Sequence, residues 1–264
     1  MEGYALITGA SSGIGEAYAR RLAESGWNVV AVSERAAENE RVAGELSARY
    51  GVKALPLTVD LTEPDAARRI YDRMQAEGIR VEVLINNAGM LLFNRLVHTP
   101  PERIDRIVAL HCTTPVQLCR LFAPAMRERG SGHILLMSSI VAWTPYPTIS
   151  HYAATKAFLR SFGQSLWYEL RDSGVGVTTV FPSAVDTPFY RLDDRMRRRC
   201  RRWGLMLTAD EVARRGLRAL FRHRRRCLPG WAAKVEALLC ALLPARALLP
   251  VLKIPAVRRL LETL

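Results

Sequence analysis

An α/β fold built on a doubly wound parallel sheet is predicted by three features of the sequence. Short β-branched runs alternate with segments of helical period through the first two thirds of the chain, as when parallel strands are joined by crossover helices. The strand-like runs are nearly continuous in apolar character, which fits strands covered on both faces. A glycine-rich turn follows the first of them at once. The 264 residues are enough for one large domain with a buried core, and no repeat of fixed period or Gly/Ser linker divides them. Residues 1–230 are expected to form that domain, with a helical substrate lid at about 187–207, and residues 231–264 a C-terminal apolar extension.

Taken in order, the predicted strands are Ala5–Thr8, Val29–Ser33, Ala54–Val59, Val83–Asn86, Ile134–Ser138 and Val177–Phe181. Between them Ile14–Ser25, Ala37–Tyr50, Pro64–Glu77, Pro101–Arg129 and Tyr152–Asp172 carry apolar residues at helical spacing, with Pro or Gly near several boundaries. After Pro182 the pattern loosens into a polar, basic segment to about Leu207. A further helix is predicted to begin near Thr208, an N-cap whose capping box is completed by Glu211 three residues on.

Hydrophobic residues are 49% and charged residues 24% of the chain, proportions of an ordered globular protein. The net charge of +13 is partly local, with one cluster at Arg195, Arg197, Arg198, Arg199, Arg201 and Arg202 and a second at Arg222, Arg224, Arg225 and Arg226. Neither zinc-finger spacing nor an RNA-recognition motif accompanies them, so nucleic acid is not the expected partner. Solvated helix faces account for such runs, and an anionic substrate or carrier is the competing reading. Five cysteines, odd in number and without a paired C-x-x-C, point away from a disulfide scaffold or zinc site and toward a reducing cytoplasm; no metal is expected. The N-terminus enters a strand-like run without a basic region and apolar signal core, so secretion is not expected. Leu238–Leu252 is apolar but broken by Pro244, Arg246 and Pro250, too short for a regular membrane span. Packing on the domain, on a sister subunit or on a membrane surface are the readings for it.

Thr8-Gly9-Ala10-Ser11-Ser12-Gly13-Ile14-Gly15 leaves the first strand and opens the first helix. Glycine permits the tight turn and close backbone approach, and the helix N-terminus offers free N–H groups to a diphosphate. A strand-to-helix turn often uses glycine for geometry alone, so the remaining motifs decide. Tyr152 and Lys156, four apart, share a helix face; a phenol of pKa near 10 becomes a useful proton donor when a cation stabilises its phenolate. Ser139, thirteen residues before Tyr152 at the end of the fifth strand, can polarise a substrate oxygen, and Ser138 is its nearest rival.

Together these residues resemble the short-chain dehydrogenase/reductase family. T-G-x-x-x-G-I-G is similar to its cofactor motif, Asn86-Asn87-Ala88-Gly89 to its N-N-A-G segment, and Ser139, Tyr152 and Lys156 to its catalytic triad. The likeness runs in order from Ala5 to about Thr187 and more loosely through Leu228. It implies a Rossmann-like fold and a nicotinamide cofactor contacted by Gly9, Ser11, Ser12, Gly13, Ile14 and Gly15. Asp60 and Leu61 are implied at adenine, Asn87, Ala88 and Gly89 further along the cofactor, and Pro182, Val185 and Thr187 at the carboxamide. Ser183 stands where the family has Gly. By the same resemblance Tyr152 is the general acid or base, Lys156 lowers its pKa and holds ribose hydroxyls, and Ser139 positions the substrate oxygen. His111 replaces the Asn that supports a water-mediated proton relay, and either a relay or a packing role is open to it. A homodimer or homotetramer through Pro101–Arg129 and Tyr152–Asp172 is also implied.

Ser33-Glu34-Arg35 follows the second strand, where carboxylates favour a ribose diol and cations a 2′-phosphate. Glu34 would repel a phosphate and Arg35 would bind it, so NADP(H) is favoured slightly over NAD(H). Val141, Trp143, Tyr146 and Phe189, with Pro145 and Pro147 alongside, suggest a hydrophobic carbonyl or alcohol substrate such as a steroid, 3-oxoacyl or polyketide-like ketone. Trp143 and Tyr146 fit loop or subunit packing equally well. An oxidoreductase accounts for all the motifs; the alternatives are an inactive nucleotide-binding or regulatory protein and a membrane-associated lipid reductase.

Overall fold

The computed structural model describes residues 3–91, 94, 96–143, 149–186 and 194–242. Six of its strands follow the predicted runs to within two residues at either end: β1 (Tyr4–Thr8), β2 (Asn28–Ser33), β3 (Ala54–Thr58), β4 (Val81–Asn86), β5 (Gly132–Met137) and β6 (Val175–Val180). They pair in parallel in the order β3-β2-β1-β4-β5-β6. The order reverses between β1 and β4, whose Leu6 and Leu84 are in register. Ligands of open α/β sheets bind beyond the carboxyl ends of the strands at such a reversal.

Helices cover both faces. On one, α1 (Gly13–Glu24) and α2 (Ala36–Tyr50) join a later helix over Ile7, Val29 and Val83, with Tyr18 and Leu22 fully buried. On the other, α3 (Ala66–Ala76) and two longer helices bury Ile70, Met74, Leu118 and Met126 over Leu6, Val30 and Leu84. Every residue of β6 is buried, and β1, β2, β4 and β5 are buried after their first residue or two, which is why these runs carry no polar alternation.

The single helix expected over Pro101–Arg129 is three pieces. α4 (Pro101–Val108) runs into a π-helical turn, Ala109–Thr113, and then into α5 (Thr114–Glu128). The wider turn swings His111 fully inside; single π turns of this kind occur often at functional sites. α6 (Ser150–Leu170) begins two residues before the predicted start.

Beyond β6 the structure adds elements too short for periodicity to reveal. β7 (Val185–Asp186) pairs with β8 (Leu207–Thr208), and β9 (Arg226–Cys227) joins the main sheet beside β6 as its seventh strand. The segment read as loose contains α7 (Asp194–Arg202). The capping box forms as expected at the start of α8 (Ala209–Leu220), with Thr208 Oγ1 accepting from the Glu211 N–H at 3.1 Å and Glu211 Oε2 from the Thr208 N–H at 3.0 Å. α9 (Gly230–Leu242) is the described part of the C-terminal extension. It turns Ala233 inward and leaves Trp231, Val235, Leu238, Leu239 and Leu242 exposed. Among the described residues no helix is long and apolar enough to cross a membrane.

Candidate active site

At the β1/β4 reversal lies a cleft of about 460 Å³, lined from the glycine turn through the ends of β2, β4 and β5 to α6. Its floor is tied together by Thr8. The hydroxyl donates to the Ile85 carbonyl at 3.3 Å and accepts the N–H groups of Asn87 and Ala88, each at 3.0 Å, while Asn87 Nδ2 returns a bond to the Thr8 carbonyl at 3.0 Å. The glycine turn and the N-N-A-G segment are thereby clamped side by side.

Two glycines make that closeness possible. Gly9 has φ +68°, and a Cβ on it would lie 2.9 Å from Ala88 Cα; a Cβ on Gly15 would lie 2.0 Å from the Gly9 carbonyl oxygen. Ser12, preceding α1, makes no side-chain cap, so the first-turn N–H groups are left for an anionic guest.

At the outer end Arg35 reaches back over the turn. Its Nη2 donates to Ser11 Oγ at 2.8 Å and Ser12 Oγ at 2.5 Å, and Ser33 Oγ donates to Ser11 Oγ at 2.8 Å. Glu34 points to the same mouth, 3.8 Å from Arg106, which also lies 3.3 Å from Asp60. Burial raises the Asp60 pKa, but the Thr62 N–H at 2.8 Å, its hydroxyl at 2.7 Å and the Arg106 charge outweigh burial and hold it below the usual carboxylate value. Leu61 is buried beside it, its carbonyl accepting from Thr114.

At the inner end Ser139, Tyr152 and Lys156 border the same cleft, with Pro182, Ser183 and Val185 opposite. Lys156 is buried, its Nζ 2.9 Å from the Met137 carbonyl oxygen and 5.5 Å from the centre of the Tyr152 ring. Burial brings its pKa down to about 8, against a small upward pull from Cys112. The two serines divide clearly: Ser138 donates its hydroxyl to the Lys156 carbonyl at 2.7 Å, and Ser139 only accepts a long bond from the Val141 N–H at 3.4 Å. Such a site can polarise an oxygen at Ser139 and exchange a proton with it at Tyr152.

The short chain dehydrogenase family matches residues 3–197. The chain belongs to that family. Relatives of this short-chain dehydrogenase include the very-long-chain 3-oxoacyl-CoA reductase of Anas platyrhynchos, 34% identical over 72% of this chain and 62% of that protein. The 17-beta-hydroxysteroid dehydrogenase type 3 of Rattus norvegicus is 32% identical over 93% of this chain and 78% of that protein. The chain spans only 31% of the mycobacterial oxidoreductase EphD, to which it is 36% identical over 69% of its own length. Among solved structures, a short-chain dehydrogenase from Sphingobium yanoikuyae in complex with NADPH has a TM-score of 0.79 at 32% identity, covering 90% of this chain and 93% of that one.

Not every predicted residue of the short-chain dehydrogenase borders the cleft. Gly15 is buried beneath it, and Val141 and Trp143 are outside its lining. Trp143 instead packs edge-on against Phe181 at 5.8 Å, with the guanidinium of Arg160 4.3 Å from its centre; an aromatic ring so covered is a packing element. Tyr146, Thr187 and Phe189, with Pro145 and Pro147, lie outside the described residues.

His111 stands behind the cleft with both nitrogens engaged. Nε2 accepts the Met90 N–H at 3.0 Å, and Nδ1 lies 2.9 Å from Thr155 Oγ1. Thr155 donates its own proton to the Tyr152 carbonyl at 2.8 Å, so it accepts from Nδ1–H, which assigns the neutral Nδ1 tautomer. Burial, then the charges of Lys156 and His151, push the His111 pKa well below its usual value. The ring braces the N-N-A-G segment against α6. Thr8 opens the glycine motif in the sequence but was given no role of its own there, and Thr155 and Arg106 were not singled out, since a lone Thr or Arg carries no signal apart from its partners.

Proposed function

We propose that this chain is an NADP(H)-linked oxidoreductase that reduces a ketone, or oxidises a secondary alcohol, on a hydrophobic substrate of the 3-oxoacyl, steroid or polyketide type. The observation that carries the reading is the convergence of Ser139, Tyr152 and Lys156 on one end of a cleft whose other end is the glycine turn. The close approach at Gly9 and Gly15 and the uncapped first turn of α1 fit a dinucleotide diphosphate. Gly9, Ser11, Ser12, Gly13 and Ile14 would hold it, with Asp60 and Leu61 at the adenine and Asn87, Ala88, Gly89, Pro182 and Val185 toward the nicotinamide. Arg35, fixed over the turn by Ser11 and Ser12, supports a 2′-phosphate, and Arg106 offsets the carboxylate of Glu34. The NADPH bound by the Sphingobium relative agrees with that choice.

When bound, the nicotinamide supplies or accepts the hydride. Ser139 donates a hydrogen bond to the substrate oxygen, and Tyr152 gives that oxygen its proton in reduction. Lys156, positive below about pH 8, favours the phenolate left on Tyr152. His111 keeps α6 and the N-N-A-G segment in register. The hydrophobic substrate class rests on the 3-oxoacyl-CoA and hydroxysteroid relatives. Phe158 and Tyr168 are exposed on α6, which supports a homo-oligomer through that helix.

A panel of 3-oxoacyl thioesters and steroid ketones, followed by NADPH absorbance, tests the reading. Turnover is expected in the wild type and a fall of at least about a hundredfold in Tyr152→Phe, with NADPH still bound. Cofactor binding without turnover of any member would instead assign a nucleotide-binding, regulatory role.

A further inference from the structure

A second cavity, of about 720 Å³, opens between α7, the start of α8 and the start of α9. Arg198, Arg201, Arg202 and Arg215 line it, with the Trp231 indole on one wall and Glu211 the one carboxylate among the described lining residues. The Glu211 carboxylate is occupied by the Thr208 N–H and hydroxyl, at 3.0 and 3.1 Å. Arg201 is paired with Asp186 at 3.3 Å, whereas Arg198, Arg202 and Arg215 form no ion pair among the described residues. Trp231 is 54% exposed and its indole N–H edge lies against Gly204, where a Cβ would come within 2.7 Å of Nε1. Arg215 lies near enough to Glu211 to help hold that carboxyl's pKa down. Three guanidinium groups without an ion pair among the described residues, around a concave, aromatic-walled space, suit a phosphorylated ring compound: the guanidinium forks match phosphate oxygens and the indole face takes a flat base.

The cavity adjoins the catalytic cleft. β7 and β8 pair Val185 with Leu207 and Asp186 with Thr208; Val185 lines the cleft, and Leu207 and Thr208 line the second cavity. One strand pair therefore separates the two, and a ligand with a reactive carbonyl at one end and an anionic head at the other can occupy both. A solvated helix face, the plainer reading of the arginine cluster, explains the exposed Arg199 stacked on Trp203 but not the convergence of α7, α8 and α9 arginines and indole on one hollow.

We propose that this cavity binds the phosphorylated adenosine end of a coenzyme A thioester while its 3-oxoacyl group lies in the catalytic cleft. The inference rests on the ketoreductase reading above and deepens it. A flat anionic membrane would be met by a convex basic face, whereas these arginines line a hollow.

The test compares a 3-oxoacyl-coenzyme A with the N-acetylcysteamine thioester of the same acyl group, which lacks the phosphates and the adenine. In Arg202→Gln/Arg215→Gln, KM for the coenzyme A substrate is expected to rise at least tenfold with kcat within twofold, and KM for the truncated thioester to stay unchanged. A like change for both thioesters, or none for either, overturns the proposal. Coenzyme A titrated calorimetrically into the NADPH-saturated protein gives a readout independent of turnover. One site is expected, weakened at least tenfold by the double substitution and by Trp231→Ala but retained in Trp231→Phe, with unchanged NADPH binding as the check of folding. No heat from coenzyme A overturns the proposal, as does equal binding of inorganic phosphate, or sedimentation with phosphatidylglycerol vesicles that coenzyme A does not reverse. If no ketone is reduced yet coenzyme A binds here, the ketoreductase reading fails and the site stands. If truncated thioesters are reduced and coenzyme A does not bind, only the site fails.

Discussion

Lys156 sits in the interior with its ammonium held by the Met137 carbonyl, and burial lowers its pKa from the ordinary 10.5 to about 8. In the unfolded chain the amine keeps its proton up to about pH 10.4. Between the two values the unfolded state binds more protons, so stability rises with pH from about 8 to 10.5, by about 3 kcal/mol for this group alone. Burial raises the thiol pKa values of Cys112, Cys119 and Cys227 and gives the opposite slope in both proteins, so urea unfolding at pH 7.5 and 10 should show a pH dependence more positive in the wild type than in Lys156→Met; parallel slopes would refute it. His111 acts in the same sense at lower pH. Its folded pKa is depressed, so the unfolded imidazole takes up a proton below about pH 6.5 that the native ring refuses, and stability falls as pH drops from there. His111→Asn should have the shallower acid slope and an unaltered pH–rate profile above pH 7. A changed profile would assign the ring to a proton relay instead of a purely bracing role. Ser139, Tyr152 and Lys156 were legible because their spacing is fixed by one helix and one strand end. The tautomer of His111 was not, because it depends on Met90 and Thr155, 21 and 44 residues away.

Periodicity found those elements long enough to repeat. It gave six strands and the main helices, and it missed β7, β8 and β9, each of two residues, because a pair of residues has no period. It also read α4, the π turn and α5 as one helix, since one wide turn scarcely disturbs an apolar stripe. Local side-chain chemistry was more informative at Thr208, where the expected capping box forms. Thr208→Ala removes the acceptor for the Glu211 N–H and should cost about 1 kcal/mol, lowering Tm by roughly 3 °C with kcat unchanged. The same helix start borders the second cavity, so an unchanged Tm would show that another acceptor replaces the hydroxyl. At the extension, Ser183 donates to Glu236 Oε2 at 2.6 Å, pinning α9 to the loop that follows β6. The apolar composition of that extension gave no hint of this bond; one buried face of α9 rests on the domain and the other remains exposed.

For the molecule as a whole, the cleft joins residues from the first strand to the loop beyond the sixth, so a ligand filling it links the β1 and β6 ends of the sheet. NADP at a hundred times its Kd stabilises by about 2.7 kcal/mol, which should raise Tm by roughly 5–10 °C. NAD at the same concentration should raise it less, and Arg35→Ala should reduce the difference by about tenfold in Kd or more; equal shifts from both cofactors in the wild type would overturn the NADP preference proposed above. The sequence by itself determined the layered α/β architecture and the glycine turn, and it marked Ser139, Tyr152 and Lys156 as residues that could meet at one cleft, because each is written in spacing along one element or across one strand–helix junction. Only the tertiary structure decided that the Ser138 hydroxyl is taken up by the Lys156 carbonyl, how Arg35 is held over Ser11 and Ser12, why Trp143 packs instead of lining the site, and that α7, α8 and α9 bring arginines and Trp231 into one hollow. Those outcomes depend on residues distant in sequence meeting across a packed sheet, and a one-dimensional pattern holds no record of such meetings.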